Sequence, residues 1–176
     1  MAKRKPHEKG GPPKVRTGPL DTDAYDIQVF KRHQEDDATG AAPWQVETGL
    51  WPKQARARMR SIIIAVAAAP PTRFSGGGMW EVMHGDMAGF FEARSRYSGK
   101  LYRVFCVLDE DPVTDSASGS RHGKNVLVII SAGCKKNQTA FKEAFYDELR
   151  GLRDEYLRRT PRSWLEASIK SEDGES

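Results

Sequence analysis

The chain has 176 residues, 38% hydrophobic and 30% charged, with a net charge of +4 and an isoelectric point near 9.1. That length fits one domain with room for a tail, and the apolar content argues against a chain disordered throughout. Only Cys106 and Cys134 are present, with no Cys or His nearby at ligand spacing, which argues against a zinc module or a disulfide scaffold.

Residues 1–22 are rich in Lys, Pro and Gly and offer almost nothing to bury, so they read as a basic N-terminal arm. The arm has no apolar segment of the secretory type, and the longest apolar run, 62–71, is too short for a bilayer. A cytoplasmic, soluble domain over 23–160 with a polar C-terminal tail over 161–176 is therefore expected. Basic residues outnumber acids between Leu50 and Leu108, where Glu81, Asp86 and Glu92 stand against Lys53, Arg56, Arg94, Arg96, Lys100, Arg103 and others. That asymmetry points to a polyanionic partner.

Tyr25 to Arg32 alternates in the manner of a strand, and Gln34 to Gly49 is turn-rich, with Trp44 as an anchor. Pro52 opens a helix running to about Ala69, because Ala55, Met59, Ile62, Ile63 and Val66 recur at helical spacing and Pro70-Pro71 stops it. After the Gly76-Gly77-Gly78 break, Met79 to Met83 is extended. Three strand-like runs follow: Phe90 to Arg96, Leu101 to Leu108 and Asn125 to Ala132. Asp109 to Lys124 joins the second to the third as a long polar loop, and neighbouring strands would form an antiparallel meander. A last helix from about Gln138 to Arg159 carries Phe141, Phe145, Leu149, Leu152 and Tyr156 as a core stripe. The fold class is α+β: a small antiparallel sheet of about four strands with helices.

Ser98-Gly99 has the composition of a two-residue hairpin turn. That turn sets Arg94 opposite Arg103 and Phe91 opposite Cys106. Facing arginines repel unless an anion lies between them, either Glu92 two residues away or a bound phosphate. Ala93, Tyr102, Val104 and Cys106 fall on the other face, which suits packing against helices. Lys135 and Lys136 follow the third strand, where ammonium groups and backbone amides can meet a phosphate or simply solubilise a loop.

The segments GFFEARSRYSGKLYRVFCVLD and NVLVIISAGCKKNQTAFKEAF together resemble the HigB-like, phage-derived branch of the RelE/ParE toxin superfamily. Glu92-Ala93-Arg94 stands for that branch's Glu-Leu-Arg strand, Tyr102-Arg103 for its Tyr-Arg strand, and Lys135 to Phe141 for its Lys-Lys-x-Gln-Lys-Thr-Pro segment. The resemblance covers about residues 50–159. Ala93 departs from the usual Leu, Thr139-Ala140-Phe141 from Lys-Thr-Pro, and the loop after Asp109 is longer than is common.

The resemblance implies a RelE-like toxin fold and a type II toxin that cuts mRNA, often at the ribosome, without a metal or other cofactor. It also implies a cognate antitoxin, acidic or of helix-turn-helix type, and no membrane partner. On this expectation Arg94 and Arg103 stabilise the phosphorane. Lys136, its proton affinity lowered by neighbouring cations, accepts the 2′-OH proton, with Lys100 as the other candidate. Arg96, Lys100 and Lys135 bind backbone phosphate, and Tyr97 stacks on a base. His84 and His122 are candidate proton donors. A ParE-like protein that inhibits DNA gyrase by contact, or a degenerate nucleic-acid-binding module, is the alternative on the same fold.

Overall fold

The computed structural model describes residues 24–69, 78–136 and 140–165. The expected basic arm, Gly76 and Gly77 of the glycine break and most of the polar tail lie outside them. In chain order the elements are β1 (Asp26–Val29), α1 (Pro43–Thr48), α2 (Lys53–Ala68), β2 (Trp80–Val82), β3 (Phe91–Tyr97), β4 (Lys100–Asp109), β5 (Val113–Asp115), β6 (Ser120–Arg121), β7 (Val126–Lys136) and α3 (Glu143–Arg158). No described helix is long and apolar enough to cross a membrane.

The chain is α+β, with a five-stranded sheet ordered β1-β7-β4-β3-β2 and a separate two-stranded ribbon β5-β6. Ser98 and Gly99 both take positive φ, 48° and 75°, which matches the strand twist and closes the β3–β4 hairpin. The register follows from it: Arg94 pairs with Arg103 and Phe91 with Cys106. β2, β3, β4 and β7 form an antiparallel meander. β1 breaks the expected pattern, because it lies parallel to β7.

Each sheet face has its own apolar core. On one, Ala93, Tyr102, Val104, Cys106 and Ile129 meet the α2 stripe of Ala55, Met59, Ile62, Ile63 and Val66. A large aliphatic side chain buried there contributes about 1.5–3 kcal/mol. Trp44 of α1 and the adjoining Trp51 close this core, their rings 6.0 Å apart, so the turn-rich region holds a short helix that begins at Pro43. On the other face, Phe105, Val107, Val128 and Ile130 meet Leu149, Leu152 and Tyr156 of α3. The arginine face is therefore also roofed by a helix over most of its length.

Ordered contacts run past residue 160. Trp164 bridges to Phe30, and the Leu165 N–H donates to the Val29 carbonyl at 2.9 Å, so the chain returns along the β1 edge. The 109–124 loop contains the β5–β6 ribbon. His122 Nε2 lies 2.9 Å from Asp26 Oδ2 and ties that loop to the start of β1.

Cys106 is buried and its thiol is pushed up by desolvation, whereas Cys134 is half-exposed. A thiol reagent on the native protein is expected to modify Cys134 and to leave Cys106 untouched until unfolding. Equal rates at both positions in native buffer would contradict this packing.

Candidate nucleic-acid interface

The hairpin register sets two guanidinium groups side by side on the α3 face, and Glu92, on the same face of β3, reaches both. Glu92 Oε1 is 3.1 Å from Arg103 Nε, and Oε2 accepts from Arg94 Nη2 at 3.1 Å. Arg94 also pairs with Glu81 Oε2 of β2 at 2.9 Å. The Glu92 carboxylate thus stands between the two arginines and relieves their repulsion. Glu92 is 3% exposed and Arg103 9%, so both charges are held away from bulk water. At Arg94, burial opposes the charge, but the hydrogen-bonded Glu92 carboxylate and nearby Glu81 outweigh it and hold the guanidinium above its ordinary value. The arginine side chain of the pair with an open side is Arg94, a third exposed.

The lysines divide between the two faces. Pairing continues from Arg103–Gly133 through Leu101–Lys135 to Lys100–Lys136. Successive side chains of a strand point to opposite faces. Lys135 and Arg96 therefore share the arginine face, whereas Lys136, Lys100 and Tyr97 lie on the α2 face. This corrects the expectation that Lys136 joins Arg94 and Arg103 on one surface, and it applies equally to Lys100. The expectation placed the lysine pair at the end of the third strand, just before the last helix, but β7 runs on to Lys136 and its pleat separates the pair. Lys100 and Lys136 are directly opposed and exposed, and Arg96 is exposed at the same end of the sheet. Tyr97 is half-buried and packs beside the α2-side core.

Lys135 is tied down: its Nζ donates to the Ala140 carbonyl at 3.0 Å and lies 5.2 Å from the Phe141 ring centroid. The same ring lies over Arg103, whose guanidinium carbon is 5.5 Å from the centroid. Phe141 was expected in the α3 core stripe, yet α3 begins at Glu143. An isolated glycine within a strand pattern signals a close approach, and Gly133 is that signal. A Cβ there would stand 2.7 Å from Phe141 Cζ. Glu81, given no role by sequence reasoning, and Phe141, expected only in the helix core, are thus neighbours of the arginine pair.

The two histidines stand away from the pair. His122 is bound to Asp26 at the Val126–Asp109 end of the sheet. Asp109 lies six residue steps along β4 from Arg103, about 20 Å of strand. His84 is exposed and follows β2 beyond the Val82–Phe91 pair, on the side away from Arg94. Among the described residues no group of three or more His, Cys, Asp or Glu side chains is placed to hold a metal ion.

No protein-family model, curated protein or solved structure matches the chain. What the fold defines is a small α+β domain whose five-stranded mixed sheet carries a carboxylate-bridged arginine pair and, at its hairpin end, a rim of exposed cations.

Proposed function

We propose that the chain is an RNA-directed toxin of the RelE/ParE type, HigB-like branch, which cleaves message by attack of a 2′-oxygen on the adjacent phosphorus and expulsion of the 5′-oxygen. The observation that carries the reading is Arg94 opposite Arg103 on one sheet face, beside a hairpin end lined by Arg96, Lys100 and Lys136. Two convergent guanidinium groups supply planar donors suited to a phosphorane, and the rim supplies backbone contacts to a polyanion. The order of strand, helices, antiparallel strands and terminal helix is compatible with that fold. An antitoxin on this reading is a partner with acidic groups for the exposed rim.

One observation favours the second reading, a ParE-like contact inhibitor of DNA gyrase or a binding module that has lost its chemistry. Both lysines expected to accept the 2′-OH proton face away from the arginine pair.

Induced expression of the wild type, Arg94→Ala and Arg103→Lys, with mapping of message ends, separates the two. On the nuclease reading, wild-type induction stops growth and generates new message ends. Removing one donor to the transition state lowers cleavage about 10²–10³-fold. Growth arrest with intact messages sinks the nuclease reading and calls for a supercoiling assay with gyrase. Growth and messages that are both unaffected would sink the toxin assignment.

A further inference from the structure

The arginine pair is covered by two of the chain's own groups, and each resembles one half of a nucleotide. The Glu92 carboxylate bridges Arg94 and Arg103 as an anion would. The Phe141 ring lies over both Arg103 and Lys135, where an aromatic face meets two cations. The ring is seated on bare backbone, because Gly133, directly opposite Arg103, has no side chain to exclude it. Phe145 stacks on it at 4.3 Å, and the Phe141 N–H donates to the Tyr146 hydroxyl at 3.3 Å. Phe141 precedes α3 and is only half-buried, so moving its side chain breaks no helical hydrogen bond.

We propose that Arg94, Arg103 and Lys135 form a nucleotide subsite whose base position is filled by Phe141 in the resting protein, and that a single RNA strand enters by displacing Phe141, its phosphate meeting the open side of Arg94 while Glu92 stays between the arginines. This rests on the RNA-directed reading and deepens it, because the resting protein is then self-occluded at the pair. A duplex cannot present an unstacked base to Arg103, which sets single-stranded RNA as the ligand class.

Equilibrium binding of a short fluorescein-labelled single-stranded RNA to the full chain, followed by anisotropy at fixed salt, tests it. Two variants unseat the ring by different routes. Phe141→Ala removes it, and Gly133→Ala keeps it but pushes it from its seat, with the added Cβ also 3.2 Å from Phe145 Cζ. Both are expected to bind RNA about tenfold more tightly than wild type. Adding Arg103→Lys to Phe141→Ala should abolish most of that gain. Circular dichroism verifies that each variant is folded, and Phe141→Leu, which keeps an apolar contact but no π face over Arg103, must shift affinity in the same direction.

Unchanged or weaker binding by both folded ring variants overturns the inference. A gain that persists when Arg103 is replaced overturns it too. If wild-type binding is indifferent to Arg94→Ala and Arg103→Lys, the RNA-directed reading of this face fails instead. No RNA binding by any of the proteins overturns both.

Discussion

Replacing Glu92 by alanine is expected to cost about 3–5 kcal/mol of unfolding free energy, because it leaves Arg103 buried with no carboxylate beside it. The buried position is what makes the cost large. Exposed ion pairs contribute about 0–1 kcal/mol, but Glu92 is 3% exposed and Arg103 9%. Arg94 suffers less, since it keeps Glu81 at 2.9 Å and a third of its side chain is open to water. Glu92→Gln should cost less than Glu92→Ala, since the amide oxygen still accepts from a guanidinium. Replacing the pair together, Glu92→Leu with Arg103→Met, should recover most of the loss, because no charge is then stranded. Equilibrium unfolding in urea reads all of these, with the denaturant slope unchanged if the native fold is kept. A loss below about 1 kcal/mol for Glu92→Ala would mean that Arg103 finds water, and the site would then be a surface pair of little energetic weight.

This cluster also marks how far the sequence could be read. The Arg94–Arg103 pairing is local, fixed by a two-residue turn whose Ser98 and Gly99 both adopt positive φ, so it was legible from spacing alone. The α2 stripe was legible for a similar reason, since a helix writes its buried face into 3.6-residue periodicity. The face of Lys136 was not. It depends on how β7 registers against β4, and the residues between them include the 109–124 loop, whose length imposes no register. A bulge between Phe105 and Cys106 shifts that pairing again, so parity counted from either end of the strands disagrees across it. The parallel placement of β1 beside β7 spans about a hundred residues, and no local pattern encodes a contact at that range. Six-residue α1 is too short to show periodicity. It forms because Pro43 suits a first turn and Trp44 is buried. Phe141 had helical spacing with Phe145 and Leu149, but spacing cannot tell a residue in the last helix from one just ahead of it.

The second large effect is expected at the far end of β4. Asp109 is 9% exposed and accepts two strong hydrogen bonds, from the Tyr156 hydroxyl at 2.7 Å and from Arg162 Nε at 2.8 Å. Tyr156 is fully buried in the α3-side core, and its hydroxyl also accepts from the Trp164 indole N–H at 3.3 Å. One carboxylate therefore clamps α3 and the returning C-terminal segment to the sheet. Asp109→Ala is expected to destabilise the fold by about 2–4 kcal/mol, because it removes both the acceptor of a buried hydroxyl and the charge partner of Arg162. Tyr156→Phe leaves Asp109 its bond to Arg162 and should cost only about 1–2 kcal/mol. In the double variant the penalties should fall short of additive, since the same hydrogen bond is removed in both. The pair also predicts a pH limit. Burial, and then the Asp109 carboxylate, push the Tyr156 phenol far above its ordinary value. A raised phenol contributes stability that is complete below the unfolded value of about 10 and is lost as pH rises beyond it. Alkaline titration of the wild type should thus show Tyr156 ionising only together with unfolding, followed by tyrosinate absorbance beside the loss of far-ultraviolet ellipticity. Tyr156→Phe should flatten that alkaline loss. If all the tyrosines of the folded wild type ionise near pH 10 with ellipticity intact, Asp109 and Tyr156 do not form the clamp described.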